Sequence, residues 1–286
     1  MPIADLHEDL LLLRTRWPQE WPGMAWVLSA CLSRLSHPQD AAGPGASTQA
    51  SARYAILHKA AFAMADAVEA LHAAMANEDR EAAYHNRLHF AECTFSLCVL
   101  LRAAREGLPL QPSWASLEQE MLMLLVMLAH DLGHDGRVNS KPGEMETLSA
   151  NAAVRLLGAM DVSSADLRVI EGLIRGTDPA MVRDNHRAIL GHAFSLEDPK
   201  WLQVLANEAD ILASTLPQFG SVLAEALARE WRQAHPQRAD SVRSDEGRLF
   251  FLEHAALFSS PGSAILGLGA VRQHQIDALR SRLASS

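Results

Sequence analysis

Met121-Leu-Met-Leu-Leu-Val-Met-Leu-Ala129, followed at once by His130-Asp-Leu-Gly-His-Asp-Gly136, is the stretch on which the reading of this chain turns. Nine apolar residues in a row leave no polar face, so a helix over 114–132 is predicted to be buried on most sides. Helix-forming Ala, Leu, Met and Glu dominate on either side of it. No alternating β-branched segment of strand length interrupts them, and no internal repeat appears. Upstream, helices are expected over 5–16, 24–35, 51–79 and 81–106. Downstream they are expected over 146–158, 164–175, 199–213, 219–234 and 270–283, with a less regular segment over 239–262. The fold class is all-α, a compact multi-helix bundle. His37-Pro38 through Gly43-Pro44-Gly45 reads as a linker. It sets an N-terminal helical extension, 1–45, apart from a main domain, 46–286, on which the extension is expected to pack as one structural unit.

The 286 residues carry 25 Lys+Arg against 34 Asp+Glu, a formal net charge of −9. That balance argues against nucleic acid or an anionic membrane as partner, since both select a basic face. The apolar run of 121–129 is well short of the roughly 20 residues of a membrane span. Three cysteines, Cys31, Cys93 and Cys98, cannot build a disulfide framework, which suits a reducing compartment. The N-terminus lacks the basic start of a secretory signal. A cytoplasmic location is the expectation. Trp17, Trp21 and Trp26 cluster in the extension, where they serve docking on the core or, alternatively, a homodimer contact.

Ionisable residues at the end of the most apolar helix are costly unless compensated. His130-Asp131 offers an imidazole and a carboxylate, both ligands for a divalent cation. Alone, the pair reads equally as a solvated helix end. His85 and His89 are spaced i, i+4, as are His130 and His134, and on a helix that spacing puts both rings on one face. The plain alternative is two surface histidines. Asp210 interrupts an apolar helical stretch, Ala206-Asn-Glu-Ala-Asp210-Ile-Leu212, where a polar-face role is the alternative. Together, His89, His130, Asp131 and Asp210 form a two-nitrogen, two-carboxylate set suited to Zn²⁺, Mn²⁺, Fe²⁺ or Mg²⁺. Cys93, four residues beyond His89, reads as a small buried thiol.

With these residues assembled, the chain resembles the HD-domain metal phosphohydrolases. More narrowly, it resembles a shortened, bacterial-type version of the catalytic domain of class I 3′,5′-cyclic nucleotide phosphodiesterases. Tyr84-His85-Asn86-Arg87-Leu88-His89 fits YHNxxH, and Glu92 follows where the family has an acid. His130 through Asn139 fits HDxxHxGxxN. Glu146, Thr177-Asp178 and Ala209-Asp210 follow in the family's order, so the likeness spans about residues 84–212.

The resemblance implies two divalent ions in a pocket between helices. His89, His130, Asp131 and Asp210 would bind the first, with Asp131 bridging to the second. His134 and Glu146 would hold water around the second ion. A bridging hydroxide would attack phosphorus, and His85 would protonate the leaving oxygen. Tyr84, Asn86, Asn139 and Thr177 would face the substrate, a small phosphate ester and most simply a cyclic nucleotide. Departures from the pattern are Gly133 and Asp135 within the HD motif and a short connection from Asn139 to Glu146. No glutamine–phenylalanine pair suited to clamp a purine is found: Gln218-Phe219 lies too near Asp210, and Gln273 and Gln275 lack the neighbours. An HD-type nucleotidase or other phosphomonoesterase, or a diesterase for another small ester, is therefore the second reading. A catalytically silent ligand sensor is the third.

Overall fold

A computed structural model describes residues 3–35, 52–108 and 114–285. The linker expected over 37–45, with the domain boundary inside it, lies outside them. The described residues form fourteen helices and no strand. In chain order these are α1 (Ile3–Arg16), α2 (Met24–Leu35), α3 (Ala52–Asn77), α4 (Arg87–Gly107), α5 (Trp114–Ala129), α6 (Glu144–Leu157) and α7 (Ser164–Arg175). They continue as α8 (Val182–Ala188), α9 (Pro199–Thr215), α10 (Gly220–Trp231), α11 (Pro236–Arg243), α12 (Asp245–His254), α13 (Pro261–Ile265) and α14 (Leu268–Ser285).

Two helices are enclosed on nearly every side. In α4 the side chains from Leu88 to Leu101 are all buried, and it packs against α1, α2, α5, α9 and α13. In α5 the run 121–129 is buried without exception, as its composition requires. It lies against α3, α4, α7 and α9. Residues of α1 and α2 share this core with the rest of the chain. Arg14 of α1 donates to the buried Glu92 of α4 at 2.7 Å. Glu69 of α3 accepts from Trp21 Nε1 at 2.8 Å and from the Met24 amide at 3.0 Å. A second, small cluster, Leu252, Ala256, Ile276 and Leu279, joins α12 to α14. No single helix among the described residues is long and apolar enough to cross a membrane.

Three elements differ from the sequence-based expectation, each for a local reason. The helix expected over 81–106 starts only at Arg87. Asn86 is extended (φ −123°, ψ 179°), and its side chain accepts from the Leu88 and His89 amides, which fixes the helix start. His85 therefore stands in the preceding loop, not one helical turn from His89 on a shared face. The helix expected over 114–132 ends at Ala129, because the Leu132 and His134 amides turn back to the Ala129 and Asp131 carbonyls. His130 and His134 consequently do not share a helix face either. The segment 239–262 divides at Ser244, which caps α12 by accepting from the Gly247 amide. The short α8 carried no recognisable pattern.

Candidate metal centre

Four ligand candidates converge from three separate pieces of chain. His89 sits in the first turn of α4, His130 and Asp131 in the turn leaving α5, and Asp210 in the middle of α9. His89 Nε2 lies 3.3 Å from Asp131 Oδ2 and 3.3 Å from Asp210 Oδ1. His130 Nε2 lies 3.3 Å from Asp131 Oδ2, 3.5 Å from Asp210 Oδ1 and 3.3 Å from His89 Nε2. A tetrahedron of donors about 2.0–2.1 Å from a Zn²⁺-sized ion has edges of about 3.3–3.4 Å. The donor set therefore fits one divalent cation in both chemistry and spacing.

The tautomers agree with this. His130 Nδ1 donates to the Met127 carbonyl at 2.8 Å, which leaves Nε2 with its lone pair toward the cluster. The imidazoles of His89 and His130 are 4% and 1% exposed, the carboxylates of Asp131 and Asp210 13% and 23%. The imidazoles are thus the more enclosed part of the cluster and the carboxylates the more exposed. Burial opposes ionisation of all four groups, and mutual attraction overcomes it. Burial alone would raise Asp131, but the His130 charge and the His89 hydrogen bond hold it well below the usual carboxylate range. Burial would lower His130, but the charge of Asp131 and the hydrogen bond to Asp210 hold it well above the usual imidazole range. A divalent cation would take the place of any proton on the ligating nitrogens, since only a deprotonated imidazole nitrogen binds metal.

Cys93, read from the sequence as a core thiol, is buried but also reaches the cluster. Its Sγ is 3.6 Å from the His89 ring nitrogens and 3.7 Å from Asp210 Oδ1. With His89, His130 and Asp210 it forms a group of mutually close donors.

A second polar group lies beside the first. His85 Nδ1 donates to Glu230 Oε1 at 2.5 Å, while Glu230 Oε2 accepts from the Tyr84 and His85 amides at 2.8 and 3.0 Å. His85 Nε2 is 4.0 Å from Asp131 Oδ2, so that nitrogen faces the cluster. The His134 ring stacks on His85 at 3.7 Å. Its Nδ1 accepts from the Gly136 amide at 3.0 Å. Burial, aided by the nearby His85 charge, lowers His134 to about 4. Gly136 is required here: its φ is +82°, and a Cβ would stand 2.8 Å from Glu230 Cγ. Glu230 comes from the last turn of α10. No local pattern marks it in the sequence.

The remaining expected residues are placed as follows. Tyr84 packs its ring on those of His85 and His89, both at 4.8 Å, and its hydroxyl lies 3.1 Å from Ser214 Oγ. Asn86 accepts from the Leu88 and His89 amides and donates to the Ala82 and Ala83 carbonyls. That uses all four of its polar valences within the protein and leaves none for a substrate. Asn139 donates to Glu146 at 2.9 Å and accepts from the Met145 amide at 2.8 Å, tying its loop to α6. Buried Thr177 donates to the Ile174 carbonyl at 2.7 Å. Burial raises Glu146, and the charges of Asp178 and Asp131 push the same way. No protein-family model matches the chain and no curated protein does, so what this centre can do rests on its own donors and their spacing.

Proposed function

We propose that this chain is a metal-dependent phosphohydrolase whose substrate is a small phosphate ester, most simply a cyclic nucleotide phosphodiester. The observation that carries the reading is the convergence of two imidazoles and two carboxylates, each imidazole nitrogen 3.3–3.5 Å from both carboxylates, with His85 Nε2 4.0 Å from Asp131. His89, His130, Asp131 and Asp210 would hold one divalent ion, of the Zn²⁺, Mn²⁺, Fe²⁺ or Mg²⁺ class. The like charges of Asp131, Glu146 and Asp178 favour a second nearby. Such ions supply a water deprotonated near neutral pH and neutralise charge gathering on the phosphoryl oxygens.

The chain's own residues supply the rest. Glu230 holds His85 Nδ1–H and fixes the ring so that Nε2 faces the cluster. As the oxygen of water bonds to phosphorus, the bond to the ester oxygen breaks, and a proton from His85 Nε2 passes to that leaving oxygen. A positioned imidazole acid of this kind contributes about 10²–10⁴ in rate. Cys93 supplies a further soft donor beneath the cluster.

A phosphomonoesterase or a diesterase for a non-purine ester is the second reading, and one observation favours it. Gln275 is committed to the Thr215 carbonyl and to Arg248, and Gln273 to Asp277, so neither is free to clamp a base. The deciding experiment is a hydrolysis screen with Mn²⁺, Mg²⁺ or Zn²⁺ over cyclic mononucleotides, cyclic dinucleotides and monoesters. Cyclic nucleotide turnover supports the first reading. Phosphate release from monoesters alone selects the second. A chain that takes up no divalent ion and gains no activity from one is a silent binding protein.

A further inference from the structure

Of the three arginines on the wall of one large cavity, Arg248 of α12 is the one that forms no ion pair with an acid among the described residues. The cavity, about 410 Å³, opens between α10, α11, α12 and α14, a size suited to a small organic ligand. Of the other arginines on its wall, Arg243 pairs with Asp240 at 2.6 Å, and Arg282 pairs with Asp245 at 2.8 Å. Arg248 donates only to neutral oxygens: the Ser214 carbonyl at 2.6 Å and Gln275 Oε1 at 2.9 Å. No carboxylate among the described residues forms an ion pair with it. A largely buried guanidinium in that state is expensive, and burial lowers it to about 10. Its place is nonetheless built for it. A Cβ at Gly220 would stand 2.3 Å from Arg248 Nη2, so the helix start is kept bare where the guanidinium lies. Its Cζ also sits over the Phe251 ring, 5.3 Å from the ring centre.

The same arginine lines a smaller apolar recess of about 80 Å³ with Leu223, Leu227, Val242 and Phe251. Tyr84 also lines that recess, and its ring packs on those of His85 and His89. A charged anchor beside an apolar wall selects one class of ligand. We propose that a small organic anion binds where the cavity and the recess meet at Arg248, its acid group on the guanidinium and its apolar body in the recess against Phe251 and Leu227. Its lining includes none of the four metal-ligand candidates, and it stands whether or not their cluster is catalytic. Arg248 has an Nε–H and a further hydrogen on each Nη beyond the two bonds already made, enough for a phosphate or a carboxylate head.

The test is calorimetric titration of the full chain in excess chelator, so that no cation offers the probe a second place. The probes are phenyl phosphate, benzoate, inorganic phosphate and neutral benzyl alcohol. Phenyl phosphate and benzoate are expected to bind more tightly than inorganic phosphate or benzyl alcohol, and their order reports which head the arginine prefers. Arg248→Gln should weaken both aromatic anions by roughly ten- to a hundred-fold while leaving benzyl alcohol unchanged. Ser221→Glu, which places a carboxylate on the cavity wall, should do the same without touching the arginine, and it decides the matter if Arg248→Gln does not fold. Parent-like affinity for the aromatic anions in Ser221→Glu overturns the assignment.

Discussion

At His130 a buried imidazole is made usable as a ligand by one hydrogen bond. The Met127 carbonyl takes the proton of Nδ1, so the lone pair of Nε2 points where Asp131 and Asp210 already concentrate negative charge. Removing a carboxylate should therefore cost the ion and the chemistry together. Asp210→Asn is expected to lower bound divalent metal below about one per chain and to abolish hydrolysis, read by elemental analysis and turnover. In the proposed mechanism His85 would act on a different atom, the leaving oxygen. His85→Ala and Glu230→Gln should retain the parent's metal content while turnover falls, by about 10²–10⁴ for His85→Ala. The loss should shrink on esters with a good leaving group, which need no proton. Metal loss in either variant would remove the division of labour between the two groups. Cys93 and Glu230 show the limit of reading by residue type: the first looked like packing, and the second lies too far along the chain to be associated with His85 by any spacing.

Among the elements, α1 matters more than its terminal position suggests. Its Arg14 is the compensating charge for Glu92, which is 1% exposed one turn beyond His89. Burial raises the Glu92 carboxyl, and Arg14 opposes that rise. Arg14→Ala leaves a buried acid without its partner and should cost about 3–5 kcal/mol in urea denaturation. Another inter-element tie is sensitive to acid. His186 of α8 is buried and lies 2.8 Å from Ser259 Oγ, and burial lowers its pKa to about 4. Below its ordinary value of about 6.5 the unfolded chain takes up a proton that the folded chain refuses. Its contribution is intact above that pH and is lost as the pH falls toward 4. The parent should lose on the order of 3 kcal/mol more than His186→Phe across that interval, measured by urea denaturation at the two ends. Equal losses in both proteins would show that the ring is not the acid-labile group. The helix starts belong to this scale too: Asn86 and Ser244 place their boundaries through single side-chain bonds, which periodicity does not register.

At the scale of the whole molecule, the cation is expected to act as a fastener between α4, α9 and the turn after α5. Saturating Zn²⁺ or Mn²⁺ at a thousand times its dissociation constant should add about 4 kcal/mol over the chelated protein, seen as a higher melting temperature. His130→Ala should show no such shift. The chain's own pattern was enough to determine the all-α class, the burial of the 121–129 helix, and the candidacy of His89, His130, Asp131 and Asp210. Burial follows from apolar composition, and ligand capacity from side-chain chemistry, and both are local properties. Packing alone decided that the His89 and His130 nitrogens stand within 3.3–3.5 Å of each other and of both carboxylates, that His85 faces them from a loop held by Glu230, and that Arg248 meets an open cavity without an ion-pair partner. Such distances join residues up to 146 positions apart, and they are set by how helices close on a shared core, which no spacing along the sequence encodes.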